Sequence, residues 1–212
     1  MVYRFAEIAF TPAVKTAQEE HGSRAAYAEA EKQSDRDFRL GPAEAAFLAA
    51  RDHFFMATVS ETGWPYVQHR GGPPGFIQVL DKDHFAFPDF RGNRQYISLG
   101  NLAGNQRAAF IFMDFPNKSR LKALGQITSV TMAEDKALMQ RLALQGYKAV
   151  PERAYLVKVE GLDWNCPQHI TPRFSEAELA EALAPIRQRL ADLEAENAAL
   201  RAALAEHKGR QP

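Results

Sequence analysis

The chain has 212 residues, and its 26 Lys and Arg balance 26 Asp and Glu, so it carries no net charge. That excludes a global polyanion-binding signature and leaves open only a local basic pocket. The single cysteine, Cys166, excludes a disulfide framework and a cysteine-built zinc site, and no run approaches the roughly 20 apolar residues of a membrane span.

Residues 1–43 are polar and Ala-rich, and PAVKTAQEEHGSRAAYAEAEK predicts one or two helices broken near Gly22. Few of these residues are apolar, so the segment reads as a helical arm on a larger body. GPAEAAFLAAR predicts a short helix, with Pro42 where a first turn tolerates proline.

Residues 44–173 are rich in β-pattern. HFFMATVS and WPYVQHR flank Glu61-Thr62-Gly63, a hairpin signal. GFIQVLD and HFAFP flank Lys82-Asp83, a second. RAAFIFMDF and RLKALGQITSVTM flank PNKS, a third, and AYLVKVEGLDW adds a strand. Residues 93–106 read as a helical loop anchored by Leu99 and Leu102, and EDKALMQRLALQG as an amphipathic helix. Six or seven mostly antiparallel strands with interposed helices predict an α+β, mainly β, small closed or split barrel.

Residues 174–212 change character, with no aromatic residue after Phe174 and many Ala, Leu, Glu and Arg. Ser175 and Glu178 form a capping-box pattern. Pro185 predicts a break or kink. Ile186, Leu190, Leu193, Asn197, Leu200 and Leu204 then alternate by four and three, an a/d seam with Asn197 at a. Arg189 and Glu196 at g face Glu194 and Arg201 at e of a parallel partner. The alternatives are a two-stranded coiled coil and a helix packed on its own barrel.

Four stretches carry chemistry. RGGPPGF (70–76) joins a forked cation to a restrained loop. FPDFRGNRQYISLGN (87–101) puts Arg91 and Arg94 near a helix start, as an anion site requires. Arg120 and Lys122 share one strand face. WNCPQHITPRF (164–174) gathers Trp164, Gln168 and His169 in a proline-stiffened loop, where Cys166 and His169 lack an acidic orienter for nucleophilic work. The six histidines show no metal-ligand spacing.

Together, PYVQHRGGPPGFIQVLD, FAFPDFRGNRQYISLGNL, RAAFIFMDF and RLKALGQI resemble the pyridoxamine 5'-phosphate oxidase-like family, nearest its branch of predicted flavin-nucleotide-binding proteins. The resemblance covers roughly 45–170 and implies a split β-barrel homodimer with FMN at the subunit interface. By position it implies FMN contacts from Gln68, His69 and Arg70; from Pro88 and Asp89 beside the ring and ribityl; and from Asn93 and Arg94 at the phosphate turn. It also implies Asn101 from the helix, Arg120 and Lys122 on the next hairpin, and Trp164, Gln168 and His169 where the partner closes over the flavin. The chain departs from the true oxidases. No C-terminal Arg-x-His segment can be placed, and Asp81 stands where they have a phosphate-binding Lys, so oxidation of vitamin B6 itself is not expected.

The implied function is an FMN-dependent oxidoreductase acting on a small molecule. A non-catalytic flavin binder or redox sensor, and a haem or deazaflavin binder on the same barrel, stay open beside it. No nucleic acid or membrane partner is expected, and the lone cysteine fits a reducing cytoplasm.

Overall fold

The computed structural model describes residues 3–32, 39–164 and 167–209. The end of the expected arm, 33–38, and Cys166 lie outside them. Contacts divide the chain into one unit up to Ile170 and a second from Thr171.

The first unit opens with three short helices, α1 (Arg4–Ala9), α2 (Pro12–Glu20) and α3 (Arg24–Lys32), followed by α4 (Pro42–Ala49). Pro12 and Pro42 occupy first turns, and Glu44 reaches back to the Gly41 N–H at 3.1 Å. Seven strands follow: β1 (His53–Val59), β2 (Pro65–Gly71), β3 (Gln78–Val79), β4 (His84–Phe90), β5 (Arg107–Asp114), β6 (Ser119–Val130) and β7 (Pro151–Trp164). α5 (Ile97–Gly104) joins β4 to β5, and α6 (Lys136–Arg141) joins β6 to β7. The expected 75–81 strand contracts to β3, because Gly72 to Phe76 are taken by a compact loop. The expected 134–146 helix keeps only the turns that bury Leu138 and Met139.

All strand pairs are antiparallel, in the order β2-β1-β5-β6-β7-β4-β3. β1 and β4 lie four places apart, which in a flat sheet would separate them by about 19 Å. Yet the Phe54 and Phe87 rings meet at 4.8 Å, and Phe85 meets Phe110 at 5.3 Å. The sheet is therefore rolled around one aromatic core, with β2 and β3 as its free edges: a split barrel. Period-two alternation explains why Phe54 and Met56 of β1 and Phe110 and Phe112 of β5 point inward. Gly125 permits the roll, since at this bulge a Cβ would stand 2.5 Å from the Lys158 carbonyl oxygen.

Arg51 ties α4 to the β5–β6 hairpin. It donates to the Met113 carbonyl at 3.1 Å and pairs with Asp114 at 3.0 Å. Burial pushes the Asp114 carboxyl up, but bonds from Asn117 and Arg51 outweigh it and hold the group below its ordinary value. A depressed carboxyl stabilises the fold above its unfolded pKa, about 3.9. That contribution is lost as pH falls through the lower folded value. Asp114→Ala should therefore cost roughly 1.5–3 kcal/mol at neutral pH. Urea unfolding of both proteins should show the gap narrowing below about pH 4. An equal gap at pH 3 and pH 7 would mean that the charge contributes nothing.

The second unit is dominated by one helix, α7 (Glu176–Gly209). Ser175 and Glu178 close the expected capping box, with the Ser175 N–H 2.7 Å from the Glu178 carboxylate and the Glu178 N–H 3.2 Å from the Ser175 hydroxyl. The helix runs through Pro185 without interruption. Among the described residues no helix is long and apolar enough to cross a membrane.

Candidate functional site

β2 alternates across its two faces. Val67 and His69 point to one side, while Tyr66, Gln68 and Arg70 turn to the other and wall a cleft of about 210 Å³. Asp89 and Phe90 at the end of β4, the loop 92–96, the first turn of α5, and Glu152 and Tyr155 of β7 complete it.

The floor is ionic. Asp89 is buried and holds two guanidiniums, Arg70 on one oxygen and Arg153 Nη1 on the other, the latter at 2.7 Å. Burial would lower the Arg153 pKa, but the facing Asp89 charge more than offsets it, so Arg153 is firmly cationic. Tyr155 packs under Arg70, with ring centre and guanidinium 5.4 Å apart. Burial and the Asp89 charge push its phenol above the ordinary tyrosine value. Among the described residues the buried Arg70 Nε–H has no hydrogen-bond partner, and the buried Tyr155 hydroxyl has only the neighbouring Arg153 guanidinium, short of good hydrogen-bond geometry. A buried polar group left unsatisfied costs about 1–3 kcal/mol.

The rim gathers groups that could receive an anion. Asn93 accepts from the Gln95 N–H at 3.1 Å and bends the loop toward α5. Arg94 and Tyr96 both adopt left-handed backbone, φ 63° and 52°, which is costly for non-glycine residues. Tyr96 is the N-cap of α5 and supplies no side-chain acceptor, so the first-turn N–H groups are uncapped where Ile97, Ser98 and Leu99 line the cleft. The Ser98 hydroxyl donates to Gln68 at 2.8 Å and fixes this helix end against β2. Arg94 lines the same rim and has no hydrogen-bond or ion-pair partner among the described residues. Glu152 on the opposite wall is engaged by Arg91 at 3.0 Å and Tyr96 at 3.3 Å. The Arg91 hydrogen bond, above all, holds its carboxyl below the ordinary value. Uncapped amides, a helix dipole and a free guanidinium suit a phosphate.

Of the thirteen residues expected at the site, Gln68, Arg70, Asp89, Asn93 and Arg94 meet in this cleft. The others stand elsewhere in this chain. Pro88 is buried beside Ala154. His69 stacks on His53 across the outer sheet face, 5.6 Å between ring centres. Asn101 donates to Thr58 at 3.0 Å and pins α5 to β1. Lys122 pairs with Asp163 at 3.3 Å, and Arg120 shares its face of β6. Trp164 donates to Glu44 at 2.8 Å and packs on Phe47, while Gln168 and His169 are exposed beyond it. Asp81 accepts from the Asp83 N–H at 2.7 Å and serves the β3–β4 turn. The cleft also draws on Tyr66, Tyr96, Ser98, Glu152 and Tyr155, with Arg153 behind Asp89, none of them singled out above. A period-two reading of β2 and β7 would have put Tyr66 with Gln68 and Arg70, and Arg153 with Tyr155.

A split barrel with a cleft between an edge strand and a helix start defines the class of this protein. Residues 40–162 match the family model described as pyridoxamine 5'-phosphate oxidase, more than half the chain, and the chain belongs to that family. Among solved structures, a putative pyridoxamine 5'-phosphate oxidase of Lactobacillus delbrueckii is 17% identical, with 61% of this chain and 97% of that chain covered and a TM-score of 0.46. An FMN-binding protein of Syntrophomonas wolfei is 14% identical, covering 70% and 97%, at 0.46. The haem storage protein HutZ of Vibrio cholerae is 17% identical, covering 59% and 94%, at 0.39. No curated protein matches the chain.

Proposed function

We propose that the cleft binds FMN and that the protein is a flavin-dependent oxidoreductase of a small-molecule substrate. The observation that carries this is the convergence of the uncapped α5 N-terminus, unpartnered Arg94 and partly buried Arg70 on one cleft. These groups fit a dianionic phosphate: amides and dipole at the rim, fork donors at two depths. Arg94 and the amides of Ile97 and Ser98 would hold the phosphate, and Gln68, Tyr66 and Tyr96 would meet the ribityl and ring. Bound FMN supplies hydride transfer.

The chain's own side chains add little acid–base chemistry in the cleft. Asp89 is committed to two arginines, Glu152 is held ionised, and Tyr155 is held neutral. Substrate oxidation would then rest on cofactor positioning. Among the described residues, the cleft's only side chains of a haem-ligating type are the tyrosines Tyr66, Tyr96 and Tyr155.

The cleft is smaller than the roughly 300–1,000 Å³ of a drug-sized ligand site. A second wall supplied by another copy of the chain would enlarge it. The other side of β2 belongs to an apolar hollow lined by Phe55, Ala57, Val67, Ile111 and Leu124, against which such a copy would seat. The resulting homodimer would place FMN at its interface.

Arg94→Ala tests the reading. Loss of its charge-assisted bonds, about 1.5–3 kcal/mol, should weaken FMN binding ten- to a hundredfold in a flavin-fluorescence titration. Unchanged affinity would remove Arg94 from the site. Bleaching of the bound flavin by a reductant, followed by reoxidation with an acceptor, separates an oxidoreductase from a flavin store.

A further inference from the structure

The helix α7 presents a longer seam than its proline suggested. With Asn197 at a, the register runs back through Leu193 (d), Leu190 (a) and Ile186 (d) to Leu183 (a) and Leu179 (d). It runs forward to Leu200 (d) and Leu204 (a). Pro185 falls at c, on the outward side, so its missing N–H and its ring leave the seam intact. Leu179, Leu183, Ile186, Leu190, Leu193, Leu200 and Leu204 are all exposed. A helix draws most of its stability from packing an apolar face, and a continuous exposed row of leucines calls for an occupant.

The charges flanking the seam identify that occupant. Arg187 and Arg189 precede the central layer at e and g, Glu194 and Glu196 flank it, and Arg201 follows at e. In a parallel, in-register pair, g of one strand faces the next e of the other. Arg189 then meets Glu194 and Glu196 meets Arg201, each twice by symmetry. Asn197 meets Asn197, and the two amides can bond each other. In an antiparallel pair a faces d, and Asn197 would be buried against leucine without a partner.

We infer that α7 is one strand of a parallel, in-register, two-stranded coiled coil formed with a second copy of this chain, spanning Leu179 to Leu204. This goes beyond the flavin reading and stands without it.

The test uses the full chain carrying Cys166→Ala, so that each variant holds one cysteine. Leu179→Cys, Leu193→Cys and Leu200→Cys, all at d, should each oxidise mostly to covalent dimer. Gln188→Cys, at outward f, should remain uncross-linked. Arg189→Glu added to Leu193→Cys should slow cross-linking roughly threefold at low salt, and Glu194→Arg in the same chain should restore it. An absence of cross-links, or a cross-link at only one d position, would overturn the proposal. So would a loss at Arg189→Glu that Glu194→Arg leaves unrepaired. A dimer held only through the sheet face gives none of these cross-links.

Discussion

Asp89→Ala should lower stability by roughly 3–5 kcal/mol, the usual cost of leaving a buried charge without its counter-ion. Here two charges lose it at once. Arg70 is bound on one carboxylate oxygen and Arg153 on the other, all three side chains being largely buried. On a domain of this size the loss should appear as a melting temperature lower by roughly 6–20 °C. Asp89→Asn should lose less, since the amide oxygen still accepts one guanidinium. An anion in the cleft should recover part of the loss, because a phosphate near Arg70 returns negative charge to the cluster. Inorganic phosphate or FMN should therefore raise the melting temperature of Asp89→Ala more than that of the parent. A variant that melts like the parent would mean that both arginines reach water, and the floor would then be no ionic cluster.

What the sequence disclosed, and what it concealed, divides along physical lines. Hairpins flanked by period-two strands were legible because register and turn chemistry are local. On the edge strand β2 the resemblance groups Gln68, His69 and Arg70, while the alternation of the strand sends His69 to the face opposite the other two. Glu152, Arg153 and Tyr155 were hidden because β7 meets β4 only through chain closure some 60 residues away, as the pairing of Asp89 with Arg153 records. The glycines of RGGPPGF close the loop on the chain itself. Their actual neighbour is internal: a Cβ on Gly72 would stand 2.7 Å from the Phe76 ring, and the Gly72 N–H donates to the Asp52 carbonyl at 2.9 Å. Pro185 was a sound local signal for a break. α7 nevertheless runs on through it, from Glu176 to Gly209.

Arg70→Ala should separate binding from folding in the way that Asp89→Ala cannot. Asp89 keeps Arg153 at 2.7 Å, so no buried charge is stranded and the fold survives. The cleft loses its deep guanidinium, including the buried Nε–H that has no partner among the described residues. FMN affinity should fall ten- to a hundredfold or more, by the same 1.5–3 kcal/mol or so per charge-assisted bond. Riboflavin, which has the ring and ribityl but no phosphate, should bind the parent and Arg70→Ala about equally. The pH dependence follows from the ligand. The phosphate loses its second proton near pH 6, and the cationic cradle favours the dianion. Parent affinity for FMN should be full above about pH 6 and decline as pH falls below it, while riboflavin binding stays flat. Lys122→Ala provides the contrast, since Lys122 faces Asp163 on the outer sheet. If it matches the loss at Arg70, the phosphate sits on that outer face instead. If riboflavin and FMN respond alike to Arg70→Ala, the cleft holds a ring but no phosphate.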